Sequence, residues 1–141
     1  MSVQHLSAQC AIASTTQAPV SNTTPVAIGP GVGVVTSVIN VPYGGVVVDV
    51  NVVTNIQHAN NADLDITLTS PTGEIVTLTS DNGGTNDDVF NGTTWNDAAA
   101  ERVVGATYTN LVVKSSIVPE EPLAAFFGKA VNGNWTLSIS D

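Results

Sequence analysis

Asp63 and Asp65 stand two positions apart beside His58, and Asp81, Asp87 and Asp97 follow in a stretch dense in asparagine and glycine. Carboxylates, side-chain amides and backbone carbonyls are hard oxygen donors. Calcium takes roughly six to eight of them at about 2.3–2.6 Å, in flexible loops. The pattern therefore predicts a calcium site drawing on Asp63, Asp65, Asp81, Asp87 and Asp97, with Asn82, Asn86, Asp88, Asn91 and Asn96 as further donors. The interleaved glycines let carbonyls turn inward. EF-hand spacing is not the basis of this expectation, since no Asp-x-Asp-x-Asp-Gly run leads to a glutamate at its twelfth position. The alternative is that the same residues form Asx turns and a solvated charged face. Asp141 shares strand parity with Ile139 and reads as a buried hydrogen-bonding acid.

Other chemistries find less. A serine triad needs a serine, a histidine and an acid converging on one site. The histidines are His5, near the N-terminus, and His58, and neither a Gly-x-Ser-x-Gly elbow nor a His-Glu-x-x-His pair occurs. Asp63 and Asp65 would lie about 6.6 Å apart along an extended strand, which suits paired glycosidase acids. Such an enzyme also needs a cleft lined with aromatics, and the chain has two Trp, three Phe and two Tyr. The expectation is a protein that is not an enzyme. Trp95, beside the acidic stretch, is the candidate for a surface contact, and Trp135 reads as core. Carbohydrate binding at the loop end is a third, weaker function. Cys10 is alone, which rules out an intrachain disulfide and a cysteine-based zinc site.

The elements that must position these residues are strands. Valine and threonine abound, and their β-branched side chains favour extended backbone. At 141 residues the chain has the length of one domain. The net charge of −9 sets twelve acids against Arg102, Lys114 and Lys129. With no basic patch, nucleic acid and anionic membranes are poor partners. No apolar run is long enough to span a bilayer, and residues 1–14 lack the basic and apolar regions of a signal peptide.

Residues 1–25 read as an extended arm or linker, and residues 26–141 as the folded domain. Gly29-Pro30-Gly31 punctuates the approach to a strand over 34–41. The alternation of Val46, Val48, Val50 and Val52 predicts a strand over 46–56. Further strands are expected at 64–69 and 75–79, joined by a Pro71–Gly73 turn, with a long loop over 80–96. Strands at 107–113 and 134–140 follow, and an apolar clamp of Leu123, Phe126 and Phe127 lies between them. The expected core is Val48, Val50, Val52, Leu64, Ile66, Leu68, Val76, Leu78, Trp135, Leu137 and Ile139. Asn22, Asn91 and Asn134 open Asn-x-Thr sequons, which matter in a eukaryotic secretory setting.

Four ordered segments carry a family resemblance: His58 to Gly73, with its Asp63-Leu64-Asp65 and Ser70-Pro71-Thr72-Gly73; Thr79-Ser80-Asp81-Asn82-Gly83-Gly84; Thr94-Trp95-Asn96-Asp97; and Leu123 to Gly128 leading to Gly133-Asn134-Trp135-Thr136-Leu137. Together they resemble the P domain of proprotein convertases and of bacterial secreted proteases, over roughly Thr23 to Asp141. The resemblance implies an all-β, antiparallel jelly-roll sandwich of about eight strands. It further implies a non-catalytic accessory module, extracellular or on the cell surface, packed on a protease or other catalytic domain. Members of that family continue past this point with a Gly-rich loop and a further Trp-containing strand, whereas this sequence stops at Asp141. A second expectation follows, in which the chain is a self-assembling surface or filament subunit whose sheet is completed by strand donation from the N-terminal arm, so that its partners are copies of itself.

Overall fold

Residues 2–9, 12–29 and 33–141 are described by a computed structural model. The expectations for Cys10 and for the turn at Pro30 and Gly31 lie outside the described residues. Among the described residues, ten strands form two sheets: β1 (Ser2–Gln9), β2 (Ile12–Thr16), β3 (Val20–Ser21), β4 (Val35–Val41), β5 (Val47–Asn55), β6 (Asp65–Thr69), β7 (Ile75–Ser80), β8 (Asn91–Trp95), β9 (Ser116–Ile117) and β10 (Gly133–Ser140). One sheet runs β2-β1-β5-β8-β9, with β3 also on β1, and the other runs β4-β10-β6-β7. The β8–β9 pair is parallel and the other pairs are antiparallel. The all-β sandwich expected from the sequence is what the chain forms.

Alternation builds the core. Ile66 and Leu68 of β6, Val76 and Leu78 of β7, and Trp135, Leu137 and Ile139 of β10 all point inward. They share one core cluster with Val50 and Val52 of β5 on the other sheet. Each such aliphatic side chain contributes about 1.5–3 kcal/mol by leaving water. Phe126 packs edge-on against Trp135 at 5.0 Å between ring centroids, and Phe90 packs against Trp95 at 5.3 Å.

Three expectations are corrected. Val48 is not core; Val47 is buried in its place. Leu6 of β1 pairs with Asp49 but Ser7 pairs with Val47, so β5 carries an extra residue at Val48. Such a bulge reverses the inward parity of everything before it. The second correction concerns 80–96, which is not one loop. Asn91–Trp95 forms β8, inserted between β5 and β9. The third concerns 107–113, which forms no strand despite its alternation. Leu111 N–H donates to the Asp87 carbonyl of the neighbouring loop, Val112 N–H turns back to the Thr109 carbonyl, and Lys114 N–H, just beyond, donates to the Val89 carbonyl. The short strand here is β9, just downstream.

The arm pairs with the body of the same chain. β1 lies antiparallel on β5, from Ser2 opposite Val53 to Ser7 opposite Val47. At the other sheet, the outer edge of β7 is closed by the 120–121 segment, whose Glu120 and Glu121 N–H groups donate to the Leu78 and Thr77 carbonyls.

Candidate functional site

Two loops meet at the acidic end of the sandwich. The 58–63 segment leaves β5 and closes with a 3-10 turn at Asn61–Asp63. It is laced to the 83–88 segment by backbone bonds: Asn61 N–H to the Asn86 carbonyl (3.2 Å), Ala62 N–H to the Gly84 carbonyl (3.0 Å) and Asp88 N–H to the His58 carbonyl (3.0 Å). The Asp88 carboxylate in turn accepts from His58 N–H at 2.9 Å. Asn61 is the centre of this seam. It is fully buried, and its side-chain amide donates to the carbonyls of His58 and Asn86. Gly83 covers it at φ +105, where a Cβ would stand 2.6 Å from the Asn61 Cβ. Only glycine allows that approach.

The five predicted ligands do not converge. Asp63 belongs to the 3-10 turn and accepts from the Asn60 side-chain amide at 2.7 Å. Asp65 starts β6, exposed, opposite Ser80 and Ser140. Asp81 is exposed at φ +54, just past β7. Asp87 lies in the second loop, its N–H donated to the Asn110 side-chain oxygen. Asp97 faces elsewhere: its two carboxylate oxygens accept from Leu123 N–H (2.9 Å) and Ala124 N–H (2.8 Å). It thereby caps the 3-10 turn Leu123–Phe126, whose own flanking residue, Pro122, supplies no side-chain cap. Among the described residues, no three of His, Cys, Asp and Glu gather as metal ligands. Oxygen donors of the kind calcium takes are nonetheless present in the seam. Asn60 and Asn61 each hold a buried side-chain oxygen without a hydrogen-bond partner among the described residues. A buried polar atom without a partner is costly, and water or a cation relieves it.

His58 is wedged between two neighbours. One ring nitrogen sits against the Asn60 backbone, and Nε2 lies 3.6 Å from the Asp141 carboxylate. Both side chains are largely buried, at 14% and 11% exposure. Trp95 is not a surface contact, which corrects the sequence expectation. It is completely buried, with Nε1 donating to the Thr54 hydroxyl at 3.0 Å. The formation of β8 explains this, since Trp95 faces inward with Thr93 on the strand's buried side.

Carboxylates outside the predicted set do clear structural work. Glu120 accepts from Ser80 N–H (2.7 Å), the Ser80 hydroxyl and the Asn82 amide (2.6 Å). Glu121 accepts from Thr77 N–H at 2.6 Å. Their placement between Pro119 and Pro122, in a segment held extended, was the available signal. Glu74 gathers the hydroxyls of Thr72 and Ser70 and the Lys129 ammonium, which together hold its carboxyl down at about 2. Lys114, bonded to Glu101 at 2.8 Å, lowers that carboxyl too. Burial, aided by the charges of Glu101 and Glu120, pushes the Tyr108 phenol up to about 12.

A two-sheet sandwich with laced acidic loops at one end defines a β-sandwich module. The sequence model of the proprotein convertase P-domain matches residues 47–141, from the start of β5 to the last residue. The chain belongs to that family, whose P domains are non-catalytic accessories of protease domains. No curated protein and no solved structure gives a significant match. Among the described residues, no helix is long and apolar enough to cross a membrane.

Proposed function

We propose that this chain is a non-catalytic accessory module of an extracellular or cell-surface protein, packed on a protease or other catalytic domain and stabilised by calcium. The family match over residues 47–141 carries this reading. It is tested by removing those residues from the full-length product. Loss of stability or secretion of an attached catalytic domain is expected, and a product unchanged in both would overturn the reading. The protein itself should turn over no peptide or glycan substrate.

Calcium is supported by the unpartnered oxygens of Asn60 and Asn61, with Asp63 and Asp87 in the same pair of loops. Asp65 and Asp81 are the outer candidates. Asp97 is the weakest, since both its oxygens are engaged. At about a hundredfold excess over the dissociation constant, binding to the folded state alone adds about 2.7 kcal/mol. The expected sign is a melting temperature raised by several degrees in millimolar calcium and reversed by EDTA. An unchanged melting curve would leave these acids as turn and surface residues.

A second reading has the chain as a self-assembling surface or filament subunit. The pairing of β1 with β5 favours it, because a strand held by backbone bonds can be supplied equally by a neighbour. Deleting residues 1–20 and measuring mass in solution is the test. Monomers from an assembling parent support donation between copies, and a parent that is already a stable monomer excludes it.

A further inference from the structure

A groove of about 540 Å³ opens beside the acidic loops, where Gln57 leads into His58 and Ile139 leads to Asp141, and the two sheets part beneath the strap formed by residues 22–28. Its size falls within the range of ligand sites. Leu137 and Ile139 of β10 and Ile56, just past β5, supply an apolar floor that belongs to the core. The walls take hydroxyls and amides from residues such as Thr24, Ser37, Asn55 and Gln57.

Two features define what such a groove takes. The first is geometric. Val35, Thr36 and Ser37, consecutive residues of β4, all line it. Neighbouring residues of a strand point to opposite faces, so a groove that touches all three meets the strand along its edge, where backbone N–H and C=O groups lie. β4 is the terminal strand of its sheet. Thr54 to Gln57 line the opposite wall, just beyond the point where β1 stops pairing with β5 at Ser2 and Val53. One edge from each sheet therefore faces the same groove. The Asn22 side-chain amide, donating to the Val38 carbonyl at 3.0 Å, shows that this edge of β4 takes hydrogen bonds from outside its sheet.

The second feature is charge. Among the described residues, none lining the groove is charged, although the chain carries a net −9. The first charged residue in the sequence is Asp49, so the strap and β4 are neutral throughout. A charged group entering the groove would lose water without gaining a partner. The surrounding negative field opposes acidic segments further.

We propose that this groove binds an uncharged, extended peptide segment of another protein, which adds as a strand along β4 and seats alternate apolar side chains over Ile56, Leu137 and Ile139. Backbone pairing supplies affinity and the alternate side chains supply selectivity. The proposal stands apart from the calcium and accessory readings, so each can fail alone.

The test is titration calorimetry of the full chain with a capped peptide of alternating valine and threonine. Saturable binding is expected. Replacing threonines of the peptide with aspartate should weaken it at least about tenfold. Ala27→Trp, at an exposed strap position, fills the groove and should weaken the neutral peptide to a similar degree. Gln57→Lys places a cation in the wall and should narrow the gap between the aspartate and neutral peptides. No saturable binding, equal binding of the two peptides, or binding indifferent to both substitutions would overturn the proposal. Self-association in sedimentation that Ala27→Trp abolishes would also overturn it, because the occupant would then be a second copy of this chain.

Discussion

The Nε2 of His58 lies 3.6 Å from the Asp141 carboxylate, tying the first acidic loop to the residue that follows β10. The loop is thus anchored at its entrance by a side chain more than eighty positions away. Removing either partner leaves the other largely buried against a lost contact. His58→Ala should cost about 1–3 kcal/mol, since it also removes the ring nitrogen that meets the Asn60 backbone. A double-mutant cycle with Asp141→Asn, read from denaturant midpoints, should show coupling above about 0.5 kcal/mol. Strictly additive losses would mean proximity without interaction.

Ile66→Ala should destabilise the chain by about 2–5 kcal/mol, because Ile66 is fully buried in a central position of β6. A loss within about 0.5 kcal/mol, the range of surface substitutions, would contradict the inward parity of that strand.

Glu120→Ala strips the carboxylate from Ser80 and Asn82 and opens part of the β7 edge. A loss of about 1–3 kcal/mol is expected by equilibrium unfolding. Light scattering on heating should also rise, because an uncovered edge pairs with other chains. Unaltered scattering would mean that the backbone bonds from Glu120 and Glu121 suffice to protect the edge.

Asp97→Ala removes the cap on Leu123 and Ala124 and should cost about 0.5–2 kcal/mol. The loss should be equal with calcium and with EDTA if capping is its whole role. A loss confined to calcium-containing buffer would make Asp97 a ligand after all.

Acid should act through Glu74. Its folded carboxyl sits at about 2, below its ordinary value of 4.5, chiefly because of Thr72, then Lys129 and Ser70. Its contribution is therefore complete above about pH 4.5 and is lost as pH falls towards 2. Glu74→Gln should flatten the stability curve in that window and leave the shape near neutrality unchanged, as followed by urea unfolding across pH. The share owed to Lys129 should shrink in high salt, because that ion pair is partly exposed. A curve as steep as the parent's would assign the acid sensitivity to other carboxylates.

The sequence by itself determined the fold class and the strands β6, β7 and β10, because the inward positions of β6 and β10 alternate without interruption, those of β7 alternate as far as Leu78, and a Ser-Pro-Thr-Gly turn sets the hairpin between β6 and β7. It also marked the acidic loops, since acid, asparagine and glycine in one stretch can only turn and face water or a cation. Tertiary structure decided what depends on partners distant in the chain. Val48 lost its place to Val47 through a bulge set by pairing with β1. Trp95 was drawn inside because the Thr54 hydroxyl on β5 satisfies its indole N–H. The alternating 107–113 segment is irregular, with Leu111 N–H bonded to the Asp87 carbonyl and Val112 N–H turned back to Thr109 in place of a strand partner. Asp97 faces Leu123 and Glu120 faces Ser80 because those backbone N–H groups needed acceptors once the sheets had assembled. Local alternation records which way a side chain points, whereas hydrogen-bond satisfaction across long separations is settled only when the whole chain has folded.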